Sequence, residues 1–323
     1  MSVPAPHTPP YTPPSAIVFA YHQVGVRCLR ALLDAGVQVL LVVTHDDTPG
    51  ETIWFDSVAA VAAEHGLRCV SPDDPHTPEL LAEAQAAAPD FLFSFYYRRM
   101  LGPAWLAVPR RGAFNMHGSL LPRYRGRVPV NWAVIHGEHE TGATLHTMEA
   151  KPDSGAIVDQ CAVPILGDDT AAEVFAKVAV AAEVVLVRSL PPLIGGTATF
   201  TPQDLSRGSY FGGRRPEDGR IPHHATATQI HNLVRALAPP YPGAFLQIAG
   251  HRLLIERTRH APAPFGVVGG GIRLASRASG LWLLAADGSV LRVLRARYEG
   301  ETALLDPTLF KQRFPGGCIG ADA

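Results

Sequence analysis

The chain has 323 residues, enough for two domains or for one large domain with an extension. It is 47% hydrophobic and 18% charged, ample for a packed core. A formal net charge of −1 and a pI near 6.9 give no bulk electrostatic case for nucleic acid or an anionic membrane.

Residues 1–14 are dense in proline and small polar residues and read as a disordered leader. Ser15 to His22 is a buried strand, followed by a helical pattern (Val26, Leu29, Leu32, Leu33) ending near Gly36. A second strand covers Val37 to Val43, and a polar loop runs from Asp46 to Gly50. Helices are expected from about Phe55 to His65 and from Thr77 to Ala87, with a short strand from Arg68 to Val70 between them. Asp90 to Tyr97 is another strand, and the one that starts at Gly112 carries Asn115 and His117. Apolar runs alternating with helical patterns mean a parallel sheet covered on both faces.

Beyond that strand, Pro129 to His136 reads as a helix, with Thr141 to Met148 and Gly155 to Val163 as hairpin partners. Ala171 to Leu190 is a helix that closes the first domain. Its stretch to Gly195 carries Lys177, Glu183, Arg188, Pro191 and Pro192, which argues against a membrane span. A helix over Thr226 to Leu237 then precedes short strands near 244–248, 251–257, 271–274, 281–285 and 290–298. The expected fold is α/β: a Rossmann-like, mostly parallel sheet domain followed by a small OB-like β-barrel. The expected boundaries are a leader 1–14, a catalytic domain 15–196, a linker 197–219, a barrel 220–310 and a tail 311–323.

Cys28, Cys69, Cys161 and Cys318 lie far apart without a Cys-x-x-Cys pair, which fits reduced thiols in a cytoplasmic protein. No signal peptide is evident at the N-terminus. The first strand exits into Tyr21-His22-Gln23-Val24-Gly25, not a Gly-x-Gly-x-x-Gly turn, so no NAD is expected. His223-His224 lacks a third ligand at sensible spacing, and no metal is expected either.

Ligands of open α/β sheets sit beyond the carboxyl ends of the strands. That edge offers Tyr21-His22, Tyr96-Tyr97-Arg98 and Asn115-x-His117. Asn115 and His117 are two apart, so both point to one side of their strand. An amide can donate to a developing oxyanion and an imidazole can relay a proton. Asp153 lies in the turn of the later hairpin, where Asp is also an ordinary turn former, and would add a carboxylate.

The run Phe114-Asn-Met-His-Gly-Ser-Leu-Leu-Pro-Arg-Tyr-Arg-Gly, with Asp153-Ser-Gly downstream, resembles the 10-formyltetrahydrofolate-dependent formyltransferases. Within them it is most similar to the formyltransferase domain of bifunctional polymyxin-resistance proteins of the ArnA type, which N-formylate UDP-4-amino-4-deoxy-L-arabinose for lipid A modification. Supporting stretches include Val18-Phe-Ala-Tyr-His, Ser94-Phe-Tyr-Tyr-Arg, Asn131-Trp, Phe211 through Arg215 and Tyr241-Pro-Gly-Ala-Phe. The resemblance runs from about residue 16 to 250.

The resemblance implies N-formyl transfer to the amine of a nucleotide-linked amino sugar, with Asn115, His117 and Asp153 as catalytic residues. It implies 10-formyltetrahydrofolate as co-substrate, held against Tyr96, Tyr97, Arg98, Leu121, Pro122 and Tyr124, because a flat pteridine suits aromatic slots. Arg125, Arg214 and Arg215 become the candidates for nucleotide-sugar phosphates. One departure is Gly219-Arg-Ile-Pro-His-His, where the relatives carry a tryptophan. The chain ends at residue 323 in a Gly-rich stretch, so formyl transfer alone is expected, without a dehydrogenase domain. Methionyl-tRNA formyltransferase is the nearest alternative, and near-neutral charge speaks against it. A formyltetrahydrofolate hydrolase would use the same three residues with water as acceptor, and a non-catalytic nucleotide-sugar binder is the remaining reading. Self-association is left open.

Overall fold

A computed structural model describes residues 12–48, 50–262, 271–277 and 280–322. Most of the leader read over 1–14 lies outside them, as does Pro49 of the polar loop. The chain divides into two compact units: 1–117, 144–160 and 182–203 form the first, and 118–143, 161–181 and 204–323 the second.

The first unit is built on β1 (Ser15–Ala20), α1 (His22–Asp34), β2 (Gln38–Val43), α2 (Val58–Glu64), β3 (Cys69–Val70), α3 (Pro78–Ala87), β4 (Phe91–Phe95), α4 (Pro103–Leu106) and β5 (Gly112–His117). All six residues of β1 and all five of β4 are buried, as a doubly covered sheet requires. Helix α1 turns Val24, Val26, Leu29 and Leu32 inward and ends where Gly36 takes φ 74, with Gly36 N and Val37 N donating to Leu33 O and Leu32 O. Trp105 is fully buried and donates from Nε1 to Pro75 O at 3.0 Å. Phe19 meets its ring edge-on at 4.8 Å.

Along the rest of the chain come β6 (Arg125–Gly126), α5 (Pro129–Ile135), β7 (Glu140–Thr147), β8 (Ile157–Pro164), α6 (Ala171–Gly195), β9 (Tyr210–Phe211) and α7 (Ala227–Leu237). The large sheet has the order β3-β2-β1-β4-β5-β7-β8. Its first five strands pair in parallel, while β7 runs antiparallel to β5. Strand order reverses between β1 and β4, the position where doubly wound sheets open a ligand crevice.

Helix α6 continues through Pro191 and Pro192 to Gly195, five residues beyond its sequence-based end. By length and composition it could cross a membrane, yet half of its apolar window is buried. Three of its four charges are ion-paired, Lys177 with Asp169 at 2.5 Å, Glu183 with Arg27 at 2.7 Å and Arg188 with Asp159 at 2.8 Å, and the fourth, Glu173, accepts from Thr170 N at 2.7 Å. Pro191 and Pro192 lack the backbone N–H that would donate four residues back, so the hydrogen-bond ladder is thinned only near the helix end.

The second unit contains an antiparallel sheet of β10 (Ala244–Ile248), β11 (His251–His260), β12 (Arg273–Arg277), β13 (Gly280–Leu284), β14 (Val290–Tyr298) and β15 (Cys318–Gly320), with α8 (Pro307–Arg313) before the last strand. Its order is β10-β11-β14-β13-β12-β15. Ile230, Leu246, Leu253, Ile255, Leu274, Leu283, Leu291 and Phe310 form the core. Helix α7 starts with a reciprocal cap: Gln229 N donates to Thr226 Oγ1 and Thr226 N to Gln229 Oε1. The stretch read as a tail carries the last strand. β15 pairs with β12, and Asp322 N then donates to Gln247 O of β10 at 2.7 Å, so the sheet curls until its two edges meet. Three residues of strand are too short for a periodic signal, which is why sequence reasoning missed them.

Candidate active site

Strand β5 presents Asn115 and His117 on one face, and the antiparallel register sets Asn115 opposite His146 and His117 opposite Thr144 on β7. After β7 the chain turns through Asp153, which takes the left-handed conformation at φ 53. Gly155 lies so close to Thr147 that any Cβ there would collide with the Thr147 carbonyl oxygen. Gln203 holds the same turn from fifty residues away, donating from Nε2 to Asp153 O at 3.2 Å and to Gly155 O at 2.6 Å.

These ties bring four polar side chains together. His117 Nδ1 lies 3.5 Å from Asp153 Oδ1, His146 Nε2 lies 3.6 Å from the same oxygen, and Asn115 Nδ2 lies 3.1 Å from His146 Nε2. His146 Nδ1 sits 2.8 Å from Thr147 O. A carbonyl can only accept, so Nδ1 is the donor there, and Nε2 accepts from the Asn115 amide, whose nitrogen can only donate. His146 thus orients the Asn115 amide with Nδ2 toward the cluster and leaves its second N–H for another acceptor. His117 is 6% exposed and His146 2%, so the group is largely screened from water. Sequence reasoning missed His146 and Gln203. A histidine inside an expected strand was the available signal for the first, and nothing local marks the second.

At the exits of β1, β2 and β4, an aromatic cluster occupies the same sheet edge. His22 stacks on Phe55 at 3.8 Å and meets Trp54 edge-on at 4.9 Å; His45 stacks on Tyr97 at 4.1 Å. Tyr96 is at φ 59, with its ring 6.3 Å from that of His22. Tyr97 meets Phe19 edge-on at 5.1 Å, and its hydroxyl finds no hydrogen-bond partner among the described residues. Burial pushes that hydroxyl up to about 12. Arg98 forms a two-pronged ion pair with Glu51, at 2.8 and 2.5 Å, and lies 4.5 Å over the Tyr21 ring. Both β1 and β4 are shorter than expected from sequence, because each gives way to a left-handed residue, His22 or Tyr96.

Burial, with help from Arg98, lowers the His22 pKa to about 3; burial, Arg99 and Arg98 lower that of His45 to about 4. Both rings stay neutral when folded, whereas the unfolded chain takes up their protons near pH 6.5. Stability should therefore begin to fall as pH drops below about 6.5 and continue falling toward the folded values. Between pH 7 and 5 we expect a loss of about 1 kcal/mol from each ring after allowing for partial exposure. Urea unfolding at the two pH values measures it. A His22→Asn variant should lose less than the parent; an equal loss would contradict the neutral, desolvated ring.

Gln203→Ala should leave the unit folded but let the Asp153 turn wander. Because misplacement of a reacting group is costly, turnover should drop by about tenfold or more. Steady-state kinetics would reveal it, and unchanged kcat would remove Gln203 from the positioning role.

The other expected contact residues lie in the second unit. Leu121 is buried, and Pro122 O accepts from Ser209 N at 3.2 Å. Tyr124 donates to Glu138 Oε1 at 2.7 Å and stacks on Phe211 at 5.4 Å. Arg125 is buried on β6, whereas Arg214 lies 4.7 Å over Trp132. Arg215 is exposed, with its amide donating to Asp218 Oδ2 at 2.7 Å. His223 and His224 sit on an exposed turn.

Residues 17–190 match the family described as formyl transferase, and residues 214–312 match the formyl transferase C-terminal domain. Among solved structures, an N-formyltransferase from Helicobacter canadensis, in complex with folinic acid and dTDP-3-aminofucose, is 22% identical, with 87% of this chain and 99% of that one covered and a TM-score of 0.68. WlaRD, a sugar 3N-formyl transferase solved with dTDP and 5-N-formyl-THF, is 20% identical, with 90% and 100% covered and a TM-score of 0.69. HypX from Aquifex aeolicus, in complex with tetrahydrofolic acid, is 18% identical over 95% of this chain and 48% of its own, with a TM-score of 0.60. At these identities the likeness is one of fold.

Proposed function

The chain belongs to the formyl transferase family, and from that premise we infer that it carries a formyl group from 10-formyltetrahydrofolate to the primary amine of a nucleotide-linked amino sugar. The observation that carries the reading is the convergence of Asn115, His117 and Asp153 around His146. The neutral amine attacks the formyl carbon, and the carbonyl oxygen becomes an oxyanion. The second N–H of Asn115 donates to that oxyanion, with His117 beside it to stabilise the adduct or relay a proton. Asp153 takes the proton released from the amine nitrogen. Collapse of the adduct breaks the bond to N10 of the folate, which leaves as tetrahydrofolate once N10 is protonated.

Tyr96, Tyr97 and Arg98 would wall the folate, a role supported by their position at the reversal of strand order. The favoured acceptor is UDP-4-amino-4-deoxy-L-arabinose, as in lipid A modification. Its support is the resemblance of Ser94 to Arg98 and Phe211 to Arg215 to enzymes of the ArnA type. The amino-sugar class is further supported by the dTDP-3-aminofucose bound to the Helicobacter canadensis neighbour. All four cysteines are free thiols, in keeping with a cytoplasmic setting.

One observation favours a second reading. Residues 220–322 hold twelve Lys and Arg against six Asp and Glu, an excess hidden by the near-zero total. On the curled sheet Arg257 is directly opposite Arg295, and Arg259 opposite Arg292. Glu256 meets Arg295 at 2.6 Å, while Arg257, Arg259 and Arg292 are exposed cations of the kind phosphates pair with, so a methionyl-tRNA acceptor is the alternative.

The test is to supply 10-formyltetrahydrofolate with UDP-4-amino-4-deoxy-L-arabinose, dTDP-3-aminofucose, methionyl-tRNA or no acceptor, and to follow tetrahydrofolate release. Release only with an amino-sugar nucleotide is the expected result. Release with methionyl-tRNA alone, or equally without any acceptor, would replace the reading with one of its rivals.

A further inference from the structure

The outer face of the curled sheet collects cations that the core of the second unit does not use. Arg257 and Arg259 of β11 and Arg292 and Arg295 of β14 are exposed, while Thr258 and Val293 between them are buried. Arg257 lies opposite Arg295 and Arg259 opposite Arg292, which puts their Cβ atoms about 5 Å apart. On the other side of β14, Arg292 is paired with Trp282 of β13. A Cβ added at Gly280 would lie 3.1 Å from Trp282 Nε1 and 3.7 Å from Arg292 Nε, so indole and guanidinium share one spot. Trp282, Arg292 and Arg259 thus form a row across three adjacent strands.

Two irregularities sort the charges. Strand β11 carries an extra residue at Glu256, and β14 an extra one at Leu294. Glu256 turns inward, is 5% exposed, and accepts from Arg295 Nε and Arg297 Nε, both at 2.6 Å. Arg257, Arg259 and Arg292 have no acidic partner among the described residues. Leu294 turns outward and is 47% exposed, an aliphatic side chain set among arginines.

Like charges directly opposite one another destabilise a strand pair, and a leucine in water forgoes its burial. Both penalties are relieved against a surface that is negative at its headgroups and apolar just beneath. There, arginines meet phosphates, an indole sits at headgroup level, and leucine reaches the acyl boundary. RNA phosphates would satisfy the arginines but leave the leucine in water. We propose that this face of β11, β13 and β14 docks on an anionic phospholipid bilayer. The inference stands apart from the acceptor reading, since it concerns where the enzyme works rather than what it formylates.

Flotation of the full chain with lipid vesicles tests this. Vesicles of mixed phosphatidylcholine and phosphatidylglycerol should carry the protein upward, phosphatidylcholine alone should not, and rising salt should release it. An Arg259→Gln/Arg292→Gln double variant should bind the mixed vesicles about thirtyfold more weakly, at about fivefold per arginine. Leu294→Ser should weaken binding too, with its salt dependence retained. An Arg30→Gln/Arg110→Gln variant, matched in charge but altered at exposed positions of the first unit, should behave as the parent. If the Arg259/Arg292 variant fails to fold by circular dichroism, Arg257→Gln decides, with a loss of about fivefold expected. No flotation, equal flotation on uncharged vesicles, or unaltered binding in the folded arginine variant or in Leu294→Ser overturns the proposal. An equal loss in the charge-matched control does the same. So does retention of poly-uridylate or tRNA through these arginines without vesicle binding, which would give the face to nucleic acid.

Discussion

Asn115→Ala is expected to lower kcat by about two to three orders of magnitude with little change in KM for either substrate. The amide meets the formyl oxygen most strongly when that oxygen carries full negative charge, so its loss falls on the transition state rather than on binding. Its orientation is set by His146, whose Nδ1 is committed to Thr147 O and whose Nε2 accepts from Asn115 Nδ2. Asn115→Asp has the same shape but no N–H to offer and should be as impaired as alanine. His146→Phe should cost less, because it removes the orienting contact and leaves the donor. Steady-state kinetics on the three variants give the ranking. An Asn115→Asp enzyme with near-normal kcat would exclude oxyanion donation as the role of this residue.

Asp153→Asn should reduce kcat by about a hundred- to ten-thousandfold, the span typical of a lost general base. The amide preserves size and can still sit in the left-handed turn that Gln203 and Gly155 hold in place. What disappears is the negative charge 3.5 Å from His117 and 3.6 Å from His146. In the parent enzyme activity should fall in acid, since a protonated amine cannot attack. In the variant, raising the pH should recover part of the rate, because more of the acceptor amine then starts neutral. Turnover within about tenfold of the parent at neutral pH would leave Asp153 outside the proton path.

Much of this fold could be read from hydrophobic pattern. The apolar runs at 15–20, 38–43 and 91–95 appear as buried strands, and the helix over 227–237 begins at the Thr226 cap where its sequence signal lies. What pattern does not carry is pairing between distant segments. Asn115 meets His146 only because β7 runs antiparallel to β5 in one particular register, and Gln203 reaches the Asp153 turn from a stretch read as linker. Asn115, His117 and Asp153 were nameable from motif; the residues that orient them were not. Charge misled in its own way, since a total near zero concealed a basic C-terminal region.

The contact between Asp322 and β10 has a practical consequence. Besides its amide bond to Gln247, Asp322 accepts from Ala249 N and Gly250 N at 3.2 and 3.0 Å, so one residue bolts the last strand to the hairpin at the opposite edge. Proteolytic nicking at Gly316-Gly317 would unzip that seam and leave β12 and β10 with bare, unpaired backbone. Such rims recruit strands from neighbouring molecules. Clipped preparations should therefore precipitate long before the catalytic half of the chain loses its shape.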